Sequence, residues 1–222
     1  MTQRHYDLVC FDLDGTLIQG TVFIWQTLHD AFHTDAEQRR LAKEAFFAGQ
    51  LTYQEWFRHD LVLLGQAGAT RETMIAALAG IHVTPGAHEV LRALRAAGCH
   101  LAILSGSLDL VLEHFLGDVP FDEVLINRIT FDAAGRLAGG AHTPYDVDFK
   151  GAGLLEIGRR LGVTPERTAF VGDNVNDLSA AEAAGFAIAF NPRSDALASA
   201  SSAVVRSADL RPILPYLIGN AG

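Results

Sequence analysis

Short apolar runs ending in polar or glycine-rich turns alternate along the chain with stretches of helical period, the signature of an α/β protein built on a parallel sheet. The pattern predicts strands at Tyr6 to Asp12, His100 to Ser105, Glu123 to Asn127, Thr168 to Gly172, Ala187 to Asn191 and Ala203 to Arg206. Thr84-Pro85 reads as the N-cap and first residue of a helix that Gly98 closes, and Thr164-Pro165 and Asn191-Pro192 mark further turns. A hairpin is expected across Arg128 to Leu137, with Asp132-Ala133-Ala134-Gly135 as its turn.

From Thr21 to about Gly80 the alternation stops and only helical spacing remains: Val22, Trp25, Leu28 and Phe32, then Trp56, Phe57, Leu61 and Leu64, then Met74, Ile75 and Leu78. This predicts an α/β core from residues 1–18 and 81–222 with a helical cap inserted at 19–80. A bundle placed there would stand over the carboxyl ends of the strands, where such sheets bind ligands, and would exclude water from them.

Composition narrows the partners. The 222 residues carry 17 Lys and Arg against 26 Asp and Glu, a formal net charge of -9. An acidic chain lacks the basic face that nucleic acid or anionic lipid requires, so neither is expected as a partner. Cys10 and Cys99, the two cysteines, sit in apolar strand-like runs and read as small core residues. No apolar run approaches the ~18 residues of a membrane span, and Met1 to Asp7 lacks a signal pattern, so a cytoplasmic protein is expected.

The chemistry concentrates at strand ends. Phe11-Asp12-Leu13-Asp14-Gly15-Thr16 follows the first strand directly, and two carboxylates two residues apart leave a strand on the same side. A cation is needed to offset their repulsion, and hard carboxylate oxygens suit Mg2+. A second acidic turn, Gly172-Asp173-Asn174-Val175-Asn176-Asp177, follows another apolar strand, with Asp173 and Asp177 one helical turn apart. Two strands of one sheet each ending in such a pair would gather four acids. Ser105-Gly106-Ser107 offers a hydroxyl and backbone N–H groups at an expected strand-to-helix turn, and Lys150 supplies a cation at a loop-to-helix junction.

With these four motifs in this order, the sequence resembles the haloacid dehalogenase superfamily of phosphatases, most closely the phosphoserine-phosphatase-like subgroup, whose small helical cap follows the first motif. The resemblance spans Tyr6 to about Leu217. It implies a Rossmann-like, doubly wound, mostly parallel core and Mg2+-dependent hydrolysis of a small-molecule phosphomonoester. It also implies roles: Asp12 the nucleophile that forms an aspartyl-phosphate, and Asp14 the acid and base. Ser105, Gly106, Lys150 and Asn176 would hold the phosphate. Asp12, Asp14 through its main-chain carbonyl, and Asp173 would bind the metal, supported by Asp177.

The cap departs from that subgroup. Its members pair the substrate amine with a Glu and the carboxylate with an Arg. The corresponding positions here are Thr21 and Asp60, with Arg58 two residues out of register, about 200° around a helix. Tyr53, Trp56, Asp60 and Leu64 share a helix face, so Asp60 interrupts an aromatic and apolar stripe. It either pairs with a neighbouring cation or, with Tyr53 and Trp56, lines a substrate pocket. Thr21 also reads as a helix N-cap. His29 and His33, at i and i+4, have the spacing to share a metal but no third ligand, and read as a polar helix face. The expectation is therefore a monoester other than phosphoserine. The alternatives are a phosphoserine phosphatase or phosphotransferase of the same fold and, from another class, a non-catalytic phosphate-binding or regulatory protein.

Overall fold

The computed structural model describes residues 3–219. Its strands are β1 (Leu8–Phe11), β2 (Ile18–Gln19), β3 (His82–Val83), β4 (His100–Leu108), β5 (Glu123–Phe131), β6 (Leu137–Ala141), β7 (Thr168–Gly172), β8 (Phe186–Phe190) and β9 (Ala203–Val205). Four helices lie between β2 and β3: α1 (Ile24–Ala31), α2 (Ala36–Phe47), α3 (Tyr53–Gln66) and α4 (Arg71–Ala76). The rest flank the main sheet: α5 (Ala87–Ala96), α6 (Asp109–Leu116), α7 (Lys150–Leu161), α8 (Leu178–Ala183), α9 (Asp195–Ala200) and α10 (Leu214–Leu217).

Seven strands form one sheet in the order β6-β5-β4-β1-β7-β8-β9, parallel except for the β5/β6 hairpin. The central strand β1 is buried throughout, which is why Leu-Val-Cys-Phe reads as a continuous apolar run and not an alternating one. Its two-residue period still divides the core: Val9 and Phe11 enter the cluster that continues into the cap, while Leu8 and Cys10 pack on the opposite side with Leu154, Ile157 and Phe170. Both cysteines are buried and free. No helix among the described residues is long and apolar enough to cross a membrane.

The helices between β2 and β3 begin where their caps dictate. Asp35 accepts from the N–H groups of Glu37 and Gln38 at the start of α2, and Thr52 with Glu55 closes a capping box on α3. Phe57, Leu61 and Leu64 of α3 join the same apolar cluster as β1, so this bundle rests on the core. α3 lies against β6 so closely that a Cβ at Gly140 would overlap the Arg128 carbonyl oxygen and crowd the Phe57 ring. The two-residue strands β2 and β3 pair antiparallel where the chain enters and leaves the bundle. We propose that ribbon as the boundary between core and cap; the domain extents drawn from the sequence run past the described residues at both termini.

Local details differ from the sequence-based expectation. β4 does not end at Ser105 but continues to Leu108 through a register shift against β5, and α6 starts only at Asp109. The Asn127 side chain bonds the Gly106 carbonyl at 2.7 Å and holds this stretch extended, so Ser105-Gly106-Ser107 is not a helix N-terminus. α5 is capped by Gly86, at φ 80°, and not by Thr84, whose hydroxyl instead donates to the Thr16 carbonyl at 2.7 Å. Thr21 is not the N-cap of α1. Phe23 holds that position, and the Asp14 carboxylate accepts from the Ile24 N–H at 2.7 Å. The hairpin is longer than expected, because β6 runs on to Ala141, which pairs with Arg128.

Candidate active site

β1 and β7 are neighbours, so the carboxylates that follow them emerge side by side. Asp12, Asp173 and Asp177 each offer an oxygen within 4.8 Å of the other two, and all three residues are buried. Lys150, the first residue of α7 and fully buried, places its Nζ 2.7 Å from both Asp12 and Asp177. Asp177 also accepts from the backbone N–H groups of Asp173 and Asn174, which fixes the turn after β7.

Lys150 thus serves two buried carboxylates while Arg193, partly exposed, reaches only Asp173, which leaves the group short of positive charge. Burial works against the charge on Lys150, but Asp12 and Asp177 outweigh it and push its pKa up. An isolated ion pair would pull its carboxylate down, yet Asp12 is held well above the usual range. Its burial, together with Asp177, Asp173 and Asp14, exceeds what Lys150 returns. Asp173 is pushed up to about 7 by burial and by Asp177, against the pull of Arg193, whose Nε lies 3.1 Å away. Buried hard oxygen donors with a deficit of positive charge fit Mg2+, which takes few protein carboxylates and completes its shell with water and phosphate.

The Asp14 carboxylate stands apart from the three-acid group. It accepts from the Ile24 N–H and from the Ser107 hydroxyl, the latter at 2.7 Å, and burial outweighs both bonds to push it up to about 6. A metal role for Asp14 is thereby limited to its main chain, because its side chain is committed to α1 and β4. Gly15 makes the arrangement possible. Its φ is 82°, and a Cβ there would overlap the Asp173 carboxylate. Gly15→Ala is expected to lower kcat/KM at least about a hundredfold while the circular dichroism spectrum stays native, a comparison that separates site distortion from unfolding.

A cavity of about 780 Å3 opens over these groups and reaches into the helical bundle; its walls run from Asp12, Asp14, Ser105 and Gly106 to Tyr53, Trp56 and Asp60. Asn176 lines it too, with a buried Oδ1 that has no partner. Thr21 does not. Its hydroxyl bonds Thr27 at 2.8 Å, outside the cavity wall. Arg58 is exposed and also absent from the wall, which disposes of it as a register-shifted substitute for the missing Arg. His33 follows the end of α1 at φ 49° and is exposed, so it cannot face the same ion as His29. His29 is not a polar surface residue but is buried, bonding Thr34 Oγ1 at 2.7 Å.

Several residues at the site carried no motif. The Tyr53 hydroxyl donates to Asp146 and accepts from Asn127, both at 2.8 Å, and the Trp25 indole donates to the Gly106 carbonyl at 3.0 Å. These bonds join the helical bundle to the core across the cavity. Ser107 was visible in the Ser-Gly-Ser run, but nothing local marked Asn127, Asp146 or Arg39, because their relevance comes from contacts remote in sequence.

The comparisons with known proteins agree with this geometry. The profile of a family described as hydrolase, haloacid dehalogenase-like hydrolase, matches residues 6–185. A phosphoserine phosphatase of Methanocaldococcus jannaschii is 29% identical over 97% of this chain and 99% of its own length. One from Archaeoglobus fulgidus is 30% identical over 86% of this chain, which spans only 54% of that longer relative. A solved structure named as a substrate-bound phosphoserine phosphatase complex superposes with a TM-score of 0.76 at 25% identity, over 97% of this chain and 100% of that one. The names of these relatives favour the phosphoserine-phosphatase alternative over the expectation of a different monoester. By family match, shared fold and the acidic cluster at the strand ends, this chain belongs to the haloacid dehalogenase-like hydrolases and resembles the phosphoserine phosphatases among them.

Proposed function

We propose that the chain is a Mg2+-dependent phosphatase of a small phosphorylated amino acid of the phosphoserine type, working through an aspartyl-phosphate. The observation that carries this reading is Lys150, buried and shared between Asp12 and Asp177, with Asp173 beside them at the floor of the cavity. The names of the relatives supply the substrate class.

In this reading an Asp12 carboxylate oxygen attacks phosphorus, and the bond to the ester oxygen breaks as Asp14 gives its proton to the leaving alcohol. Asp14, now a carboxylate, takes a proton from water. That water attacks the phosphorus of the aspartyl-phosphate, and inorganic phosphate departs with Asp12 restored. Ser107 and the Ile24 N–H hold Asp14 in place for both steps. Asp12, Asp173 and the main-chain carbonyl of Asp14 would hold Mg2+, with Asp177 in support through Lys150 and the turn after β7, and the ion would supply positive charge to the phosphoryl group. Lys150 supplies the fixed part of that charge, and Ser105, Gly106 and Asn176 bound the phosphate side of the cavity. The bonds from Tyr53 and Trp25 keep the cap down and water out.

Phosphate release from phosphoserine, phosphoethanolamine, phosphocholine, sugar phosphates and an aryl phosphate, with Mg2+ and with chelator, tests the proposal. Turnover is expected to fall to background on exhaustive chelation and to return with Mg2+. Activity indifferent to chelation would remove the metal, and silence across the panel would favour a phosphate-binding protein. Product analysis with added alcohols separates hydrolysis from phosphoryl transfer.

A further inference from the structure

The stretch that carries Ser105 and Gly106 is held from outside by hydrogen bonds whose directions are all determined. Asn127 on β5 is fully buried. Its Nδ2 donates to the Gly106 carbonyl at 2.7 Å and to the Tyr53 hydroxyl at 2.8 Å, and its Oδ1 accepts from the Thr143 N–H at 2.8 Å. Both amide hydrogens are thereby used, and turning the amide over would set Oδ1 against a carbonyl oxygen and Nδ2 against an N–H. The Tyr53 hydroxyl has one proton, and with Asn127 donating to it that proton goes to Asp146. Burial and the Asp146 carboxylate push the Tyr53 pKa well up, so the hydroxyl keeps its proton.

The Gly106 carbonyl takes a second bond from the Trp25 indole at 3.0 Å, which occupies both its lone pairs. Trp25 reaches it directly from α1, and Asn127 is itself held by Tyr53 of α3. Gly106 and Asn127 belong to β4 and β5, so these bonds require the helical bundle to be seated on the core.

The carbonyl is one half of a rigid peptide unit whose other half is the Ser107 N–H. That N–H donates to Ser105 Oγ at 3.2 Å. Accepting from the peptide leaves the Ser105 hydroxyl its own proton to give to an oxygen on the phosphate side of the cavity, which Ser105 lines. The Ser107 side chain adds a second output, donating to Asp14 at 2.7 Å. One peptide therefore stands between two aromatic residues of the bundle and two groups that handle the phosphate, and bonds linked in this way strengthen one another.

We propose that the Gly106–Ser107 peptide is a relay that couples seating of the helical bundle to the phosphate pocket, with Trp25, Tyr53 and Asn127 as positioning residues that aim the Ser105 hydroxyl at the phosphoryl group. This rests on the phosphatase reading above and goes beyond it, because it gives the bundle a part in holding phosphate whatever alcohol the ester carries. A bundle that touched only the leaving alcohol would leave the phosphate pocket indifferent to these bonds. The relay weakens that pocket for every ester and for a phosphate mimic alike.

Tyr53→Phe and Trp25→Phe each remove one polar group and keep an aromatic ring. Each is expected to lower kcat about tenfold on phenyl phosphate as well as on phosphoserine, with KM changed less than about twofold. Each is also expected to weaken orthovanadate binding with Mg2+ present, read by calorimetry, by about the same factor, since vanadate takes the geometry of the transferring group. The double variant is expected to fall short of the product of the two losses by at least about threefold, because both bonds act through one carbonyl. Asn127→Asp, which sets an oxygen against the Gly106 carbonyl, is expected to cost more than either, and if it does not fold the two ring-preserving variants still decide. Vanadate binding as tight as in the wild type overturns the relay. So do losses confined to phosphoserine, losses that multiply in the double variant, or a lower melting temperature as the sole change. A wild type inert toward phenyl phosphate with Mg2+ strikes the phosphatase reading instead, and vanadate binding to wild type and variants then still reads the relay.

Discussion

Asp12→Asn is expected to abolish phosphate release, by at least about a thousandfold in kcat, while the chain stays folded and melts no lower than the wild type. The two halves of this result have one cause. Asp12 is buried beside Asp177 and Asp173 with Lys150 as the shared cation, and its pKa is driven well up by burial and those neighbours. Replacing the carboxylate with an amide removes a poorly compensated buried charge yet keeps an oxygen for Lys150 Nζ. A group that is unfavourable where it stands but required for turnover is held there for its chemistry. The same logic gives the metal a signature that needs no turnover. Mg2+ is expected to raise the wild-type melting temperature, by about 2.7 kcal/mol of stability at a hundredfold excess over Kd, and to raise that of Asp12→Asn less. Calorimetry and phosphate release on the two proteins check both statements. An Asp12→Asn protein with full turnover would remove the nucleophile.

Lys150→Met is expected to fail on both counts, losing turnover and about 3–5 kcal/mol of stability, as when one partner is removed from a buried ion pair. Lys150 is fully buried, and among the described residues no other side chain bridges Asp12 and Asp177. The deficit depends on pH with a defined sign. Asp12 and Asp173 have folded pKa values raised above their unfolded ones, the latter to about 7. Such groups favour folding when protonated, so their contribution is present below about pH 4, the unfolded value, and is lost as pH rises through the folded one. Without Lys150 the loss steepens, and urea midpoints of variant and wild type are expected to diverge between pH 5 and pH 8. Added Mg2+ is expected to narrow the gap by taking over part of the cation's work. Equal midpoints across that range would show that Lys150 does not carry the charge balance.

Much of the architecture was legible because it is written in local period and burial. Continuous runs such as Leu8–Phe11 and Thr168–Gly172 are buried on both faces, and each hands its carboxylates directly to the end of the sheet. The four helices between β2 and β3 were legible for the opposite reason, since residues 21–80 contain no such run. The path of Ser105-Gly106-Ser107 was not legible. Read alone, it is a turn before a helix; the structure keeps it extended because Asn127, two strands from β1, bonds the Gly106 carbonyl. The β2/β3 ribbon escaped for want of length, since two residues per strand carry no period.

The site divides along the same line. The sequence by itself determined which strands end in acids and that Lys150 stands where a loop gives way to a helix. Only the tertiary structure decided that the Asp14 carboxylate turns away from the other three acids to Ile24 and Ser107, that Thr21 lies outside the cavity, and that Arg39 and His29 meet Asp60. The reason is geometric. A strand end or a helix cap is set by residues within one turn of each other, whereas the meeting of side chains from α1, α2 and α3 depends on the angles at which those helices pack, and no local pattern encodes such an angle.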